Sequence, residues 1–315
     1  MQSAVGVDEG HRPLHQFVVV DEPVVGVGDD VDESVPHPHD VVRSCPGHGH
    51  EGYRYHALVS PYRLPRAVVP HRYTLALEPD LGAATFTGHV IIDATVNEPV
   101  GQIVLNAIEL DIHTVRVDGR ECPFRLEADT ERLVIDSAQD VSGIGIEITF
   151  TGTLNDKLRG WYRSTYRDAD GTERVIATSQ MQATDCRRAF PCFDEPDFKA
   201  VFDVTLIVDD GLLAVSNGQE TERTPQPGGK VAVRFEPTMP MSTYLVAFVV
   251  GPLEATDPVM VHRTDGPPIP LRIIHVPGKA HLTAFGLDIG AFALGWRSEE
   301  HTSELQSHLN LVCRL

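Results

Sequence analysis

The sequence lacks any long apolar run, and it is poor in basic residues. No stretch approaches the roughly 20 apolar residues that a helix needs to cross a bilayer, and the first residues do not follow the basic-then-apolar pattern of an export signal. Lys and Arg number 26 against 45 Asp and Glu, which gives a formal net charge of −19. Nucleic-acid phosphates are bound by clustered Lys and Arg, and no such cluster is visible. We therefore expect neither a membrane nor a nucleic acid as a partner.

Cysteine is scarce as well. The 315 residues include five cysteines, which are Cys45, Cys122, Cys186, Cys192 and Cys313. They are too few and too irregularly spaced for a disulfide scaffold, and none of them forms the Cys-x-x-Cys pair of a zinc ribbon. We expect reduced thiols in a cytoplasmic protein.

Residues 1–58 differ in composition from the rest of the chain. They are rich in Val, Asp and Gly and hold seven of the 15 His. No period of two or of 3.6 residues is sustained long enough to specify a packed element. We expect a disordered or non-native N-terminal extension, with the genuine protein starting near Val59 or Ser60.

Residues 60–251 have the pattern of a β-domain. Apolar and polar residues alternate at 73–77, 86–96 and 144–150, as in strands that are buried on one face. Further β segments are predicted at 201–208, 231–235 and 244–250. Gly- and Asp-containing turns separate these segments, and helices do not alternate with them. This pattern predicts packed antiparallel sheets rather than a βαβ fold.

A second unit is predicted from residue 252. It has β-like stretches at 259–262 and 271–276, followed by a helical pattern at 279–296. One face of that helix collects the apolar residues Leu282, Phe285, Ile289, Phe292 and Ala293. Residues 297–315 are unrelated in character and resemble a translated sequencing-library adapter, so we expect this tail to be artefactual.

The most informative segment is residues 180–199, which read Gln-Met-Gln-Ala-Thr-Asp-Cys-Arg-Arg-Ala-Phe-Pro-Cys-Phe-Asp-Glu-Pro-Asp-Phe-Lys. This segment resembles the signature of the aminopeptidase N family, gluzincin zinc metalloaminopeptidases that remove single residues from peptide N-termini. Residues 160–166, 215–218 and 241–251 match the same family in order and approximate spacing. The resemblance implies a mainly β fold, in which a saddle-like antiparallel β-sheet domain at 60–251 precedes the start of a thermolysin-like α+β catalytic domain at 252–296.

Gln180 and Gln182 are the candidate substrate-binding residues. Alternation along one strand would put both on the same face, where their amide oxygens could serve one ligand. The resemblance implies that Gln180 borders the pocket for the N-terminal side chain and that Gln182 holds the α-amine of a peptide substrate. Gln182 is neutral where many relatives carry a carboxylate, and charge-assisted hydrogen bonds are about twice as strong as neutral ones. Without the motif, two glutamines on a solvated strand face would be the plain interpretation.

Cys192 could be considered as a catalytic nucleophile, but its surroundings do not favour that role. A thiolate beside Arg187 and Arg188 would be activated. However, no His lies in a recognisable arrangement with Cys192, and the nearby Asp194 and Glu195 would raise the pKa of the thiol. The two arginines and the two acids are better explained as a structural ion-pair network that fixes the turn, with two aromatic side chains packed beneath it. Those aromatic residues are Phe190 and Phe193.

No His-Glu-x-x-His spacing exists in the sequence. His50 and Glu51 begin like such a motif, but the next His is His56, six residues after the first, and this offset moves it away from a shared zinc. The resemblance places the zinc helix, the third ligand Glu, the Gly-Ala-Met-Glu-Asn loop and the transition-state Tyr beyond Trp296. We therefore expect no catalytic residues, no metal ligands and no bound catalytic zinc in this chain, and zinc only in the parent enzyme.

These observations predict the N-terminal fragment of a zinc aminopeptidase that is inactive alone, with the missing catalytic domain as its intramolecular partner. One alternative is a non-catalytic scaffold or interaction module of the same fold. Another is an epoxide hydrolase-type relative, which likewise favours Gln at position 182. A zinc motif further along the complete gene would distinguish the enzyme from the scaffold.

Overall fold

A computed structural model describes residues 17–20, 63–262 and 267–300, and these residues are mostly β. The strands are β1 (Phe17–Val20), β2 (Val68–Asp80), β3 (Thr85–Val96), β4 (Val100–Asn106), β5 (Leu110–Val117), β6 (Arg120–Glu121), β7 (Phe124–Glu127), β8 (Arg132–Gln139), β9 (Ser142–Thr153), β10 (Gly160–Arg167), β11 (Glu173–Gln180), β12 (Val201–Asp209), β13 (Leu213–Val215), β14 (Glu220–Gln226), β15 (Lys230–Phe235), β16 (Val249–Gly251), β17 (Glu254–Ala255), β18 (Val259–Val261) and β19 (Ile269–His275). The helices are α1 (Ala284–Glu300) and four short 3-10 helices, Ala128–Thr130, Cys186–Arg188, Thr243–Leu245 and Ala280–Leu282.

The largest sheet has eight strands in the order β14-β15-β12-β2-β3-β9-β5-β6. Its central strands show the predicted alternation, since every second residue of β3 from Phe86 to Ile92 is buried, while Thr87, His89 and Ile91 between them are more exposed. The period of two in the sequence therefore identifies the face that packs into the core. The mainly β fold predicted from the sequence is confirmed.

One pair in this sheet corrects the expectation of purely antiparallel pairing. Strands β2 and β12 run parallel, with Val201 beside Arg72 and Leu206 beside Leu77. The other pairs of the sheet are antiparallel. Hairpins and meanders give antiparallel neighbours, whereas a parallel pair needs a long crossover, which here consists of all the strands between β2 and β12.

Two smaller sheets complete the β-domain, with strand orders β10-β11-β16-β13 and β4-β8-β7. Aromatic side chains join the first of them to the large sheet. Trp161 of β10 packs on Phe86 at 5.0 Å and on Phe248 at 5.5 Å between ring centroids, and Tyr73 stacks on Phe202 at 4.8 Å. Trp161 lies opposite Ser179 of β11, the residue before Gln180, so this core adjoins the end of that strand.

The segment predicted as a strand at 244–250 is only partly one. Residues Thr243–Leu245 form a 3-10 helix, and strand β16 covers only Val249–Gly251. The amide of Asn217 explains the interruption, because it donates to the carbonyl of Leu245 at 2.8 Å and accepts from the amide of Ala247 at 2.8 Å. These side-chain bonds replace a strand ladder at this position.

The last sheet contains β1, β17, β18 and β19, with β19 at its centre. Helix α1 packs against β18 and β19 through a small apolar cluster that includes Leu271 and Leu294. The helix predicted at 279–296 is present as a short 3-10 turn followed by α1, which runs on to Glu300. None of the helices in the described ranges is long and apolar enough to cross a membrane.

Both terminal predictions fall largely outside the described residues. Within 1–58, where the composition indicates no packed element, the structure describes only strand β1, which pairs with residues Leu271 to Ile274 of β19. Within 297–315, the described residues are the end of α1, and residues 301–315 lie outside the described ranges. The domain boundaries at 58, 251 and 296 stay predictions.

Candidate functional site

Gln180 and Gln182 do not share a strand, which corrects the sequence-based prediction. Strand β11 ends at Gln180, which lies opposite Gly160 of β10, and Gln182 lies in the turn that follows. After the strand, the carbonyl of the buried Met181 accepts a hydrogen bond from the amide of Asp185 at 2.9 Å. The backbone therefore turns instead of continuing the alternation.

The turn nevertheless keeps the two glutamines together. The Nε2 amide of Gln180 lies 3.5 Å from the backbone oxygen of Gln182, at the long limit for a hydrogen bond. Gln180 is half-buried, whereas Gln182 is exposed. Within the described part of the chain, the Gln182 carboxamide makes no hydrogen bond, so its oxygen is available to a ligand.

Arg188 holds the far end of this turn. Its side chain is largely buried, with Nε 2.7 Å from Oδ1 of Asp185 and Nη1 2.9 Å from Oε2 of Glu109. Gly160, at a φ of +66°, lies directly against it, and a Cβ at that glycine would sit 2.7 Å from Cβ of Arg188. Only glycine combines this backbone conformation with such close packing.

Arg187 joins the turn to the rest of the domain. Its Nε lies 2.9 Å from Oδ2 of Asp194, and its Nη1 lies 2.9 Å from Oε2 of Glu131. The second oxygen of Asp194 accepts a hydrogen bond from Oγ1 of Thr243 at 2.6 Å. The predicted structural ion pair is thus confirmed for Arg187 and Asp194, and both oxygens of the buried Asp194 carboxylate are occupied. Arg188 pairs instead with Asp185 and Glu109, which the prediction did not include.

Glu195 belongs to a different ion cluster from the predicted one. Its Oε2 lies 3.1 Å from Nε of Arg63 and 3.0 Å from Nη2 of Arg66, and Oε1 accepts from the amide of Leu64. The Arg66 guanidinium also lies over the ring of Phe198, 4.3 Å from its centroid. The signature segment is therefore attached at its end to residues more than 120 positions earlier, and no local sequence signal marks that pairing.

The aromatic side chains of the signature lie where the sequence predicted them. Phe190 and Phe193 are completely or almost completely buried. The amide of Phe193 donates to the hydroxyl of Tyr73 at 3.0 Å, and burial raises the pKa of that hydroxyl well above its ordinary value. The signature is therefore anchored in the core on both sides of its charged residues.

Comparison with known proteins agrees with this arrangement. The sequence profile of the peptidase M1 N-terminal domain matches residues 69–245. This chain belongs to the peptidase M1 family. The family's N-terminal domain accounts for every strand from β3 to β15 and for the turn that carries Gln180 and Gln182.

Individual M1 relatives are similar over most of this chain. Aminopeptidase 2 of Candida albicans is 39% identical over 235 residues, which are 73% of this chain and 25% of the relative. Puromycin-sensitive aminopeptidase of Caenorhabditis elegans is 36% identical over 252 residues, which are 77% of this chain and 26% of the relative. Aminopeptidase M1 of Arabidopsis thaliana is 39% identical over 244 residues, which are 74% of this chain and 27% of the relative. The chain thus spans about a quarter of the length of these relatives.

Cys192 is not placed as a nucleophile in this M1 domain. Burial raises the pKa of both Cys192 and Cys186, and the Asp194 carboxylate raises both further. The direction expected for Cys192 is confirmed, although desolvation rather than the acids is the main cause. A protonated, fully buried thiol is a poor attacking group.

Cys186, Cys192 and Asp194 form a possible metal-binding group. In the described ranges they are the only His, Cys, Asp or Glu residues, three or more together, whose ligand atoms all lie within 4.8 Å of one another. They do not fit a catalytic zinc. Both oxygens of Asp194 already bind Arg187 and Thr243, so neither is free to coordinate a metal. The cationic guanidinium beside Asp194 also opposes a second cation.

Proposed function

We propose that this chain supplies the N-terminal β-domain of a zinc-dependent aminopeptidase and that its β11 turn forms part of the subsite for a peptide's free N-terminus. The observation that carries this proposal is the exposed Gln182 carboxamide beside Gln180, on a turn fixed at both ends. Residues 252–296 are, in this proposal, the start of the thermolysin-like catalytic domain. The names of the three relatives, all aminopeptidases, support it.

The chemistry of the turn suits an ammonium ligand. A peptide's α-ammonium group presents N–H donors, and the oxygen of the Gln182 carboxamide is an acceptor without a partner of its own in the described part of the chain. In this proposal Gln180, half-buried at the end of β11, borders the first side chain of the peptide. Because Arg188 and Gly160 fix the turn, little conformational freedom is lost on binding.

Zinc would be held by polypeptide outside this chain, since the described residues offer no donor set that fits it. In this proposal the partner is the part of an M1 enzyme that this chain does not cover, since the match spans 25% of the length of Aminopeptidase 2. The chain alone would therefore bind peptide N-termini weakly and hydrolyse nothing. The free thiols of Cys122, Cys186 and Cys192 support a reducing, cytoplasmic location.

A non-catalytic scaffold of the same fold is the second candidate, and it differs from the enzyme in lacking a zinc motif in the complete protein. An epoxide hydrolase-type relative remains a third reading, because it too accepts Gln at position 182. The two M1 activities are separated by profiling the complete protein on aminoacyl-coumarin and on epoxide substrates.

Nuclear magnetic resonance of the isotope-labelled full chain tests the amine subsite. We expect trialanine with a free amine to shift the side-chain amide signals of Gln182, while N-acetylated trialanine leaves them in place. Gln226, exposed at the end of β14, provides the matched control. Gln182→Ala should abolish any shift that the free-amine peptide causes in the backbone amide signals of the turn, and Gln226→Ala should preserve it. Equal shifts with both peptides would refute the subsite. Hydrolysis of an aminoacyl-coumarin by the chain with added zinc would refute its inactivity.

A further inference from the structure

Cys186 and Cys192 lie next to each other inside the signature segment. Both side chains are completely buried, and their Sγ atoms lie within 4.8 Å of each other. In the described ranges the other free cysteine is Cys122, which is half-buried between β6 and β7. Its thiol contacts the carbonyl oxygen of Arg120 at 3.4 Å. The signature therefore contains a close pair of thiols that the proposed function does not use.

The backbone holds both members of this pair in place. The carbonyl of Cys186 accepts hydrogen bonds from the amide of Ala189 at 2.8 Å and from the amide of Phe190 at 3.2 Å. The carbonyl of Cys192 accepts from the amide of Asn106 at 2.8 Å, and the amide of Cys192 donates to the carbonyl of Asn106 at 3.1 Å. The two thiols therefore stay together for as long as the signature segment is folded.

The separation of the two sulfur atoms suits a disulfide after a small movement. The S–S bond is about 2.05 Å long, so from a distance of 4.8 Å each sulfur has to move by about 1.4 Å at most. Rotation about the Cα–Cβ bond moves a sulfur atom while the backbone stays in place. Ala189 and Phe190, which lie between the two cysteines, are buried, so the chain has already folded back on itself at this position.

We propose that Cys186 and Cys192 are an intrachain redox pair, which hydrogen peroxide converts into a reversible disulfide. The peroxide first transfers one oxygen atom to one thiol, which gives a sulfenic acid and one water. The second sulfur then attacks the sulfenic sulfur, and the hydroxyl leaves with the remaining thiol proton as a second water. The two thiols thus lose two electrons and two protons, and the peroxide takes up both. This inference is independent of the proposed peptidase role.

Burial sets the rate of this reaction. A fully buried thiol reacts slowly, because peroxide reaches it only when the surrounding segment opens locally. Once one sulfur is oxidised, the partner thiol is already beside it, which favours the disulfide over further oxidation. We therefore expect slow oxidation of the native chain and faster oxidation in urea below the unfolding transition, where local opening is more frequent.

The disulfide would add a covalent bond to the candidate subsite. It closes a ring of seven residues, 186–192, which contains Arg187 and Arg188. In the reduced chain the ion pairs of these two arginines hold the turn that carries Gln182. Because a cross-link restricts the unfolded chain, the oxidised chain should unfold at a higher urea concentration than the reduced chain. A midpoint equal to or below that of the reduced chain would contradict this consequence.

Peptide mapping of the full chain tests the pair. The chain is treated with hydrogen peroxide, its remaining thiols are blocked with iodoacetamide, and it is digested with trypsin without reductant. Trypsin cleaves after Arg187 and Arg188, so Cys186 lies on peptide 175–187 and Cys192 lies on peptide 189–199. We expect mass spectrometry to find these two peptides joined, and dithiothreitol to separate them.

Variants and isotope labels provide the controls. Cys192→Ala should remove the linked peptides and Cys122→Ala should preserve them, with circular dichroism to establish that each variant is folded. When labelled and unlabelled chains are mixed before oxidation, the two linked peptides should carry the same label. The proposal is overturned if the link is absent after peroxide treatment, if it forms only above the urea midpoint of unfolding, or if it joins peptides of different label.

Discussion

Nε of Arg187 lies 2.9 Å from Oδ2 of Asp194, and both side chains are almost entirely removed from solvent. The two residues are seven positions apart, and between them the chain buries Phe190 and Cys192. This ion pair therefore closes the signature segment into a loop whose interior is apolar. Arg188, which follows Arg187 in the sequence, binds Asp185 in the turn that carries Gln182. This ion pair connects the turn to the loop.

Removing the Arg187 side chain should destabilise the fold strongly. Arg187→Ala leaves the buried carboxylate of Asp194 without its ionic partner, and we expect a loss of about 3–5 kcal/mol in the free energy of unfolding. Urea denaturation followed by fluorescence measures it. The control is Arg223→Ala, which breaks an exposed pair with Glu220 and should cost less than about 1 kcal/mol. Equal losses in the two variants would contradict the structural role.

Gly160 should tolerate no side chain. Gly160→Ala places a Cβ against Arg188 and forces alanine into a left-handed conformation, so we expect a loss of about 3 kcal/mol or more in thermal or urea unfolding. Gly171 also has a positive φ, +82°, but no atom lies within 4 Å of the added Cβ. Gly171→Ala should cost only the backbone strain, about 1–2 kcal/mol. The difference between the variants isolates the contact with Arg188, and no difference would disprove it.

Stability should fall in alkaline solution. Burial raises the pKa of Cys186 and Cys192 in the folded protein, so these thiols stay protonated while those of the unfolded chain ionise above about pH 8.5. Their contribution is thus complete below that pH and is lost as the pH rises, by about 1.4 kcal/mol per pH unit for each thiol. Urea midpoints between pH 7 and 10 measure the slope.

The double variant C186A/C192A serves as the matched control for that slope. It removes both titrating groups while keeping an apolar side chain at each buried position, so the decline in stability up to pH 10 should be markedly shallower. A slope identical to that of the unmodified chain would mean that other groups cause the alkaline effect.

A carboxylate at position 182 should strengthen the binding of a free amine. Gln182→Glu converts a neutral acceptor into a charged one, which we expect to contribute about 1 kcal/mol and to raise affinity for trialanine about fivefold. Isothermal titration calorimetry at neutral pH provides the measurement. N-acetylated trialanine, which lacks the ammonium group, should gain nothing, and an equal gain for that peptide would show that the carboxylate acts elsewhere.

The strands were the most predictable part of this molecule. Alternation of apolar residues is a local property, so the buried positions of β3 and β9 could be read from the sequence to within a residue or two. Helix α1 was equally visible, because an apolar residue recurred every three or four positions. The predicted apolar face proved to be the exposed one, since a helix so rich in apolar residues leaves the sequence ambiguous about which side meets the sheet.

The candidate site was predictable only in part. The signature identified Gln180 and Gln182, but the period of two predicted one strand through both and missed the turn that the hydrogen bond from Asp185 to Met181 closes. The partners of Arg187 and Glu195 lie far away in the sequence, at Glu131, Arg63 and Arg66. Such pairings depend on the assembled tertiary structure, and no local pattern encodes them.

The parallel pairing of β2 with β12 has a consequence for the order in which this domain is completed. More than a hundred residues separate the two strands, so β2 can form its hairpin with β3 early but must wait for β12. During synthesis, the hydrogen-bonding groups on that side of β2 stay unmatched until residue 209 has left the ribosome. A nascent chain that stalls before that point would expose an unpaired edge of β2, with which a strand of another chain could pair.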